Sequence, residues 1–166
     1  MSINEILEIL EKQLEHYGSL LDLINQKRTI LISNDVEQLN VFMKKERQQL
    51  QIAEALEQER IRLTNKYFLK CGIIRSRAGT ISDMVRIVTN AEEKTKLLHY
   101  QKQLSSLLGE IRKVNELNQQ LIAQSLQFIE YSIDLLIDDP TEAITYQHPK
   151  NPTYGGVRNG IFDTRG

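Results

Sequence analysis

The sequence predicts an all-α protein, and three observations carry that prediction. Its only prolines are Pro140, Pro149 and Pro152, so the strongest helix breaker is missing from everything before residue 140. Apolar residues return at spacings of three and four, the period of a helix face, and not in the strict alternation of a strand. Helix-start pairs, a capping side chain answered three residues on, occur at Ser2–Glu5, Asp35–Gln38 and Thr80–Asp83. The expected architecture is an elongated antiparallel helical hairpin plus a long C-terminal helix, forming a three-helix bundle or coiled coil, with a flexible C-terminal tail. The hairpin is placed at 2–70, a loop and short helix at 71–90, the long helix at 91–137 and the Pro/Gly-containing tail at 140–166.

The first helix opens at the Ser2–Glu5 capping box. Ile3, Leu7, Leu10, Leu14, Tyr17, Leu21, Ile24 and Leu31 then alternate spacings of four and three, with Arg28 in the one gap. Such a seam requires a covering helix. Ser33-Asn34-Asp35 ends it, and Asp35 starts the second helix. There Val36, Leu39, Phe42, Met43, Leu50, Ala53, Leu56, Ile61, Leu63, Tyr67 and Phe68 outline the apolar face, with Glu46 and Arg60 at seam positions. Those two are expected to pair with polar groups or to fix register. Cys71 through Gly79 reads as a loop, Thr80–Asp83 as the cap of a short helix to Val88, and Thr89-Asn90 as the cap of the last helix.

That last helix carries two adjacent apolar seams. One holds Leu97, Leu104, Leu108, Ile111, Ile122, Ile129 and Leu136; the other holds Tyr100, Leu107, Val114, Leu121, Phe128 and Leu135. Together they are wider than one antiparallel partner covers. Either the helix sits in the groove of the hairpin, or its C-terminal half is left for another protein. The tail beyond it has no periodicity, yet keeps Tyr146, Tyr154, Ile161 and Phe162.

Hydrophobic residues at 40% and charged residues at 26% place the chain among folded proteins and not disordered ones. A net charge of −1 supplies no global field toward nucleic acid or an anionic membrane. Arg60, Arg62, Lys66, Lys70, Arg75 and Arg77 form one basic stretch, read as a solvated helix end in preference to a nucleic-acid patch. The lone Cys71 calls for no oxidising compartment. Glu5, Glu8 and Glu11 break any early apolar run, and no stretch nears the roughly 20 apolar residues of a membrane span; the expected location is cytoplasmic. No phosphate-binding loop, zinc-protease or hydrolase motif is present, and His16, His99 and His148 stand alone, so neither enzyme, cofactor nor metal is expected.

The order of these features resembles the FlgN family of flagellar export chaperones. Lys27, Asp35, Glu46 and Arg60 fall at intervals similar to those of the family's opening hairpin. Asn115-Glu116-Leu117-Asn118-Gln119-Gln120-Leu121 is similar to the family's N-x-x-N-x-x-L on the last helix, and Pro152-Thr153-Tyr154-Gly155 resembles the Y-G element that follows it. The stretch Gly156-Val157-Arg158-Asn159-Gly160 is longer than the Y-G-x-x-G spacing.

The resemblance implies that the chain binds the C-terminal helical segments of the hook–filament junction proteins FlgK and FlgL, prevents premature assembly and delivers them to the export gate. The implied binding residues are Val114, Asn115, Asn118, Leu121, Ile122, Ser125, Phe128 and Ile129. Tyr154 and Gly155 are the implied contact to the gate component FlhA. The polar members Asn115, Asn118 and Ser125 read equally well as register-setting groups inside the chain's own core. A structural or adaptor coiled coil, self-associating as a homodimer through the same seams, is the competing reading.

Overall fold

A computed structural model of the chain describes residues 3–137. It is all-α: 89% helical, with four helices and no strand among the described residues. They are α1 (Ile3–Ser33), α2 (Val36–Lys70), α3 (Ile81–Ile87) and α4 (Ala91–Ile137). The chain divides into two compact units, Met1–Ala123 and Gln124–Gly166, with the division falling within α4.

In the first unit, local chemistry sets each boundary. Asn34 takes φ 55°, the left-handed conformation that Asn tolerates best after Gly, and so turns the chain out of α1. Asp35, in extended conformation, then accepts the Gln38 amide at 3.0 Å and caps α2. Gly72 at φ 74° closes α2. Its amide donates to Leu69 O at 3.0 Å and the Ile73 amide to Phe68 O at 2.9 Å, the paired bonds of a glycine-terminated helix end. Thr80 and Asp83 cap α3 reciprocally, and Asn90 Oδ1 accepts the amides of Glu92 and Glu93 at the head of α4. Ser2, the first half of the Ser2–Glu5 pair, lies outside the described residues.

Helices α1 and α2 form the most closely packed pair, an antiparallel hairpin. Its polar rungs read in opposite order along the two helices: Gln13 to Glu57 at 2.8 Å, His16 to Gln49 O at 2.7 Å and Lys27 to Glu46 at 2.8 Å. Within this unit α4 lies against the hairpin and runs parallel to α1. Leu97 and Leu104 join Ile3, Ile6 and Leu10 in one cluster, whereas Ile111 joins Leu20 and Ile24 in a second. Met84 of helix α3 and Val88 just after it close the first cluster, alongside Leu63 and Phe68 of α2. Each such side chain, fully buried, contributes about 1.5–3 kcal/mol.

The structure widens the expected seam on α1. Ile6, Gln13 and Leu20 are buried as well as Ile3, Leu10 and Ile24, because α1 is covered from two sides. On α2, Val36, Met43 and Leu50 are exposed, not part of the apolar face. Phe42, Ala53, Leu63 and Phe68 hold the buried positions, with Arg60 among them, and Glu46 lies half-buried in the same register.

Candidate partner-binding site

The residues that the sequence singles out on α4 part into two sets. In the first unit, every seventh residue is buried: Leu97, Leu104, Ile111 and Asn118. Tyr100, Leu107, Val114 and Leu121 flank this line, half-buried. Val114 packs against the Leu20, Ile24 and Ile111 cluster. Asn118 is only 2% exposed; its Nδ2 donates to Ile24 O at 3.1 Å, and its Oδ1 is buried with no hydrogen-bond partner. Asn115 is half-buried, and Ile122 is exposed, as is Leu108; neither apolar residue belongs to the line that faces α1.

In the second unit, described as residues 124–137, the apolar side chains from Leu126 to Leu136 are open. Phe128 is 69% exposed, Ile129 51% and Leu136 86%, and Leu126, Tyr131, Ile133 and Leu135 are exposed with them. Ser125 is half-buried, and Ser132 donates to Phe128 O at 2.8 Å within the helix. Leu126, Ile129, Ile133 and Leu136 follow spacings of three, four and three, which makes a single straight seam. Ile129 and Leu136 were legible in the sequence; Leu126 and Ile133 complete the seam and are found by the same spacing rule. Counted along the helix, this is not the register of Leu97, Leu104 and Ile111, whose continuation is Asn118, Ser125 and Ser132. Tyr154 and Gly155 lie outside the described residues.

Elsewhere in the first unit, a groove of about 480 Å³ is lined by Gln13, Tyr17, Glu57, Arg60, Ser82 and Gln101, among others. Its polar groups already serve each other. Arg60 donates through Nε and Nη2 to both Glu57 oxygens at 2.8 and 2.6 Å, and through Nη1 to Gly79 O at 3.0 Å. The Arg60 bonds hold the Glu57 carboxyl below its ordinary range, with Gln13 adding to the effect against an opposing contribution from burial. Burial pushes the Tyr17 phenol up.

The basic stretch is partly neutralised in the same way. Arg62 pairs with Glu59 at 2.7 Å, and Arg75 and Arg77 reach Asp83 at 3.0 and 3.4 Å. Arg75 also lies 4.8 Å over the Phe68 ring. Bonds from the Thr80 hydroxyl and amide, and then Arg75, hold the Asp83 carboxyl far below the usual carboxylate range. Among the described residues, no group of three or more His, Cys, Asp or Glu side chains is placed to hold a metal ion, and no helix is long and apolar enough to cross a membrane.

The model of a family described as FlgN protein matches residues 1–153. The Bacillus subtilis (strain 168) protein YvyG is 32% identical over 137 residues, covering 82% of each chain. No solved structure matches. The helices and the family match together define a helical protein of the flagellar export chaperone class. The chain belongs to the FlgN family, whose members bind flagellar proteins.

Proposed function

We propose that this chain is a cytoplasmic, non-enzymatic chaperone that binds FlgK and FlgL, keeps them from assembling early and delivers them to the export gate. The observation that carries this reading is the exposed apolar side of residues 124–136, with Phe128 and Ile129 at its centre. An open face of this kind on one helix suits a partner that supplies another helix, since both then bury aliphatic seams and neither has to unfold. The C-terminal helical segments of FlgK and FlgL are the proposed occupants. Val114 and Asn118 anchor α4 on α1, with Asn115, Leu121 and Ile122 on the adjoining turns. Ser125, Phe128 and Ile129 make the contact. Tyr154 and Gly155 present the complex to FlhA.

The test is co-purification of the full chain with FlgK, FlgL and FlhA, beside Phe128→Asp/Ile129→Asp and Tyr154→Ala variants. The expected result is that the double variant keeps its helical circular dichroism and loses both junction proteins, whereas Tyr154→Ala keeps them and loses FlhA. Undiminished capture of FlgK and FlgL by the double variant would move the binding face elsewhere. Failure of the unaltered chain to capture either protein would sink the reading.

A further inference from the structure

The exposed seam of the second unit has charge of one sign along one edge. Within 124–137 the charged residues are Glu130 and Asp134, both exposed. With Leu126, Ile129, Ile133 and Leu136 as the seam, Glu130 falls at the position directly beside it, where coiled coils select their partners by charge. Asp134 lies one turn further on, four residues from Glu130, so the two repel each other along the helix and nothing within 124–137 relieves them. The bias extends through the surrounding sequence. Between Lys113 and Lys150 there is no Lys or Arg, while Glu116, Glu130, Asp134, Asp138, Asp139 and Glu142 are all acidic.

We infer that the occupant of this seam is an amphipathic helix of another protein whose apolar stripe is bordered by Lys or Arg. The inference rests on the chaperone reading and narrows it, by stating what chemistry a client helix must carry. A second copy of this chain is the wrong partner for the same seam. An antiparallel pair would bring Glu130 up against its own counterpart, and within 124–137 neither orientation offers a cation to answer it. A basic-bordered helix meets both requirements at once, an aliphatic stripe for the seam and cations for Glu130 at its edge, with Asp134 adding to the negative field from the next position out. Charges at such a rim act mainly on the rate of encounter and on the rejection of wrong partners. The apolar seam holds the helix; the carboxylates choose it.

The test uses the full chain and three synthetic three-heptad peptides with one Leu/Ile seam, whose flanking positions are all Lys, all Gln or all Glu. Binding is read by fluorescence anisotropy at low and at high salt, and the mass of the chain alone by light scattering. The expected order is Lys over Gln over Glu, with roughly tenfold between the extremes at low salt and the gap closing as salt screens the pairs. Glu130→Lys/Asp134→Lys should invert that order with unchanged helical content, which a merely structural role for the two acids would not do.

Equal binding of all three peptides overturns the charge selection and leaves the chaperone reading standing. Binding of none, while FlgK and FlgL still co-purify, overturns the helical occupant but not the chaperone. A dimer abolished by Leu126→Asp makes the occupant a second copy. Peptide binding that rises on Phe162→Asp makes it the chain's own C-terminal segment. Either of those two results overturns the proposal.

Discussion

Asn118 occupies a line otherwise held by Leu97, Leu104 and Ile111, and it is satisfied on one side only. Its Nδ2 serves Ile24 O, but Oδ1 is buried without a partner. An unpaired buried acceptor costs about 1–3 kcal/mol, and Ile24 O also lies within α1, where a helical amide can serve it. Asn118→Leu is therefore expected to raise stability by roughly that amount, read as a higher urea midpoint with unchanged slope. A lower midpoint would mean that the single bond to Ile24 outweighs the orphaned oxygen. Two carboxylates give the chain an acid limit. Glu57 and Asp83 are both held below their ordinary values of 4.5 and 3.8. A depressed carboxylate contributes stability above its unfolded value and loses it as the pH falls toward the folded one. The melting temperature should hold from neutrality to about pH 5 and drop below about pH 4, with a smaller drop in Asp83→Asn. Asn118 could be singled out in the sequence because it is polar among aliphatic residues. Gln13 could not, because its burial depends on α2 bringing Glu57 within reach.

At the scale of the element, two glycines in the first unit predict opposite outcomes. A Cβ on Gly79 would stand 2.5 Å from Phe68 Cε2 and 2.6 Å from Thr64 Cγ2, and both of those side chains are buried. Gly79→Ala should cost about 1–3 kcal/mol as the loop is pushed off α2. Gly18 lies inside α1 with nothing within 4 Å of its added Cβ, so Gly18→Ala should stabilise by up to about 1 kcal/mol through helix propensity alone. Thermal melts of both variants check the pair, and a stabilised Gly79→Ala would refute the close approach. The helix starts were legible because capping is local: Asp35, Thr80 and Asn90 act on amides two or three residues away. The face of α2 was less legible. Val36, Met43 and Leu50 are as apolar as Phe42, and only the position of the covering helix decides which of them is buried. The same holds on α1, where Ile6 and Leu20 become core because a second helix covers that side.

At the scale of the whole molecule, the two units answer differently to the same kind of substitution. Leu97 is fully buried in the first, and Leu97→Ala should cost about 2–5 kcal/mol. Phe128 is open in the second, and Phe128→Asp should leave the melting temperature within about 1 °C, since exposed positions away from the core are nearly neutral. Differential scanning calorimetry of both variants tests the contrast, and a large loss with Phe128→Asp would show that residue to be part of a core. The sequence displayed both apolar seams of α4 but not which was covered, because coverage depends on α1 and is not written in α4. The parallel course of α1 and α4 also bears on how the chain acquires its structure. The hairpin closes through a turn at Asn34, so α1 and α2 can find each other as soon as both are made. Asn118 and Ile24 are 94 residues apart, and their pairing has to wait for nearly all of α4 to be synthesised. On the ribosome the hairpin would therefore form first and the last helix would dock onto it afterward. The helix proposed to receive a client is then the latest to arrive, and in hydrogen exchange it should be the earliest to open.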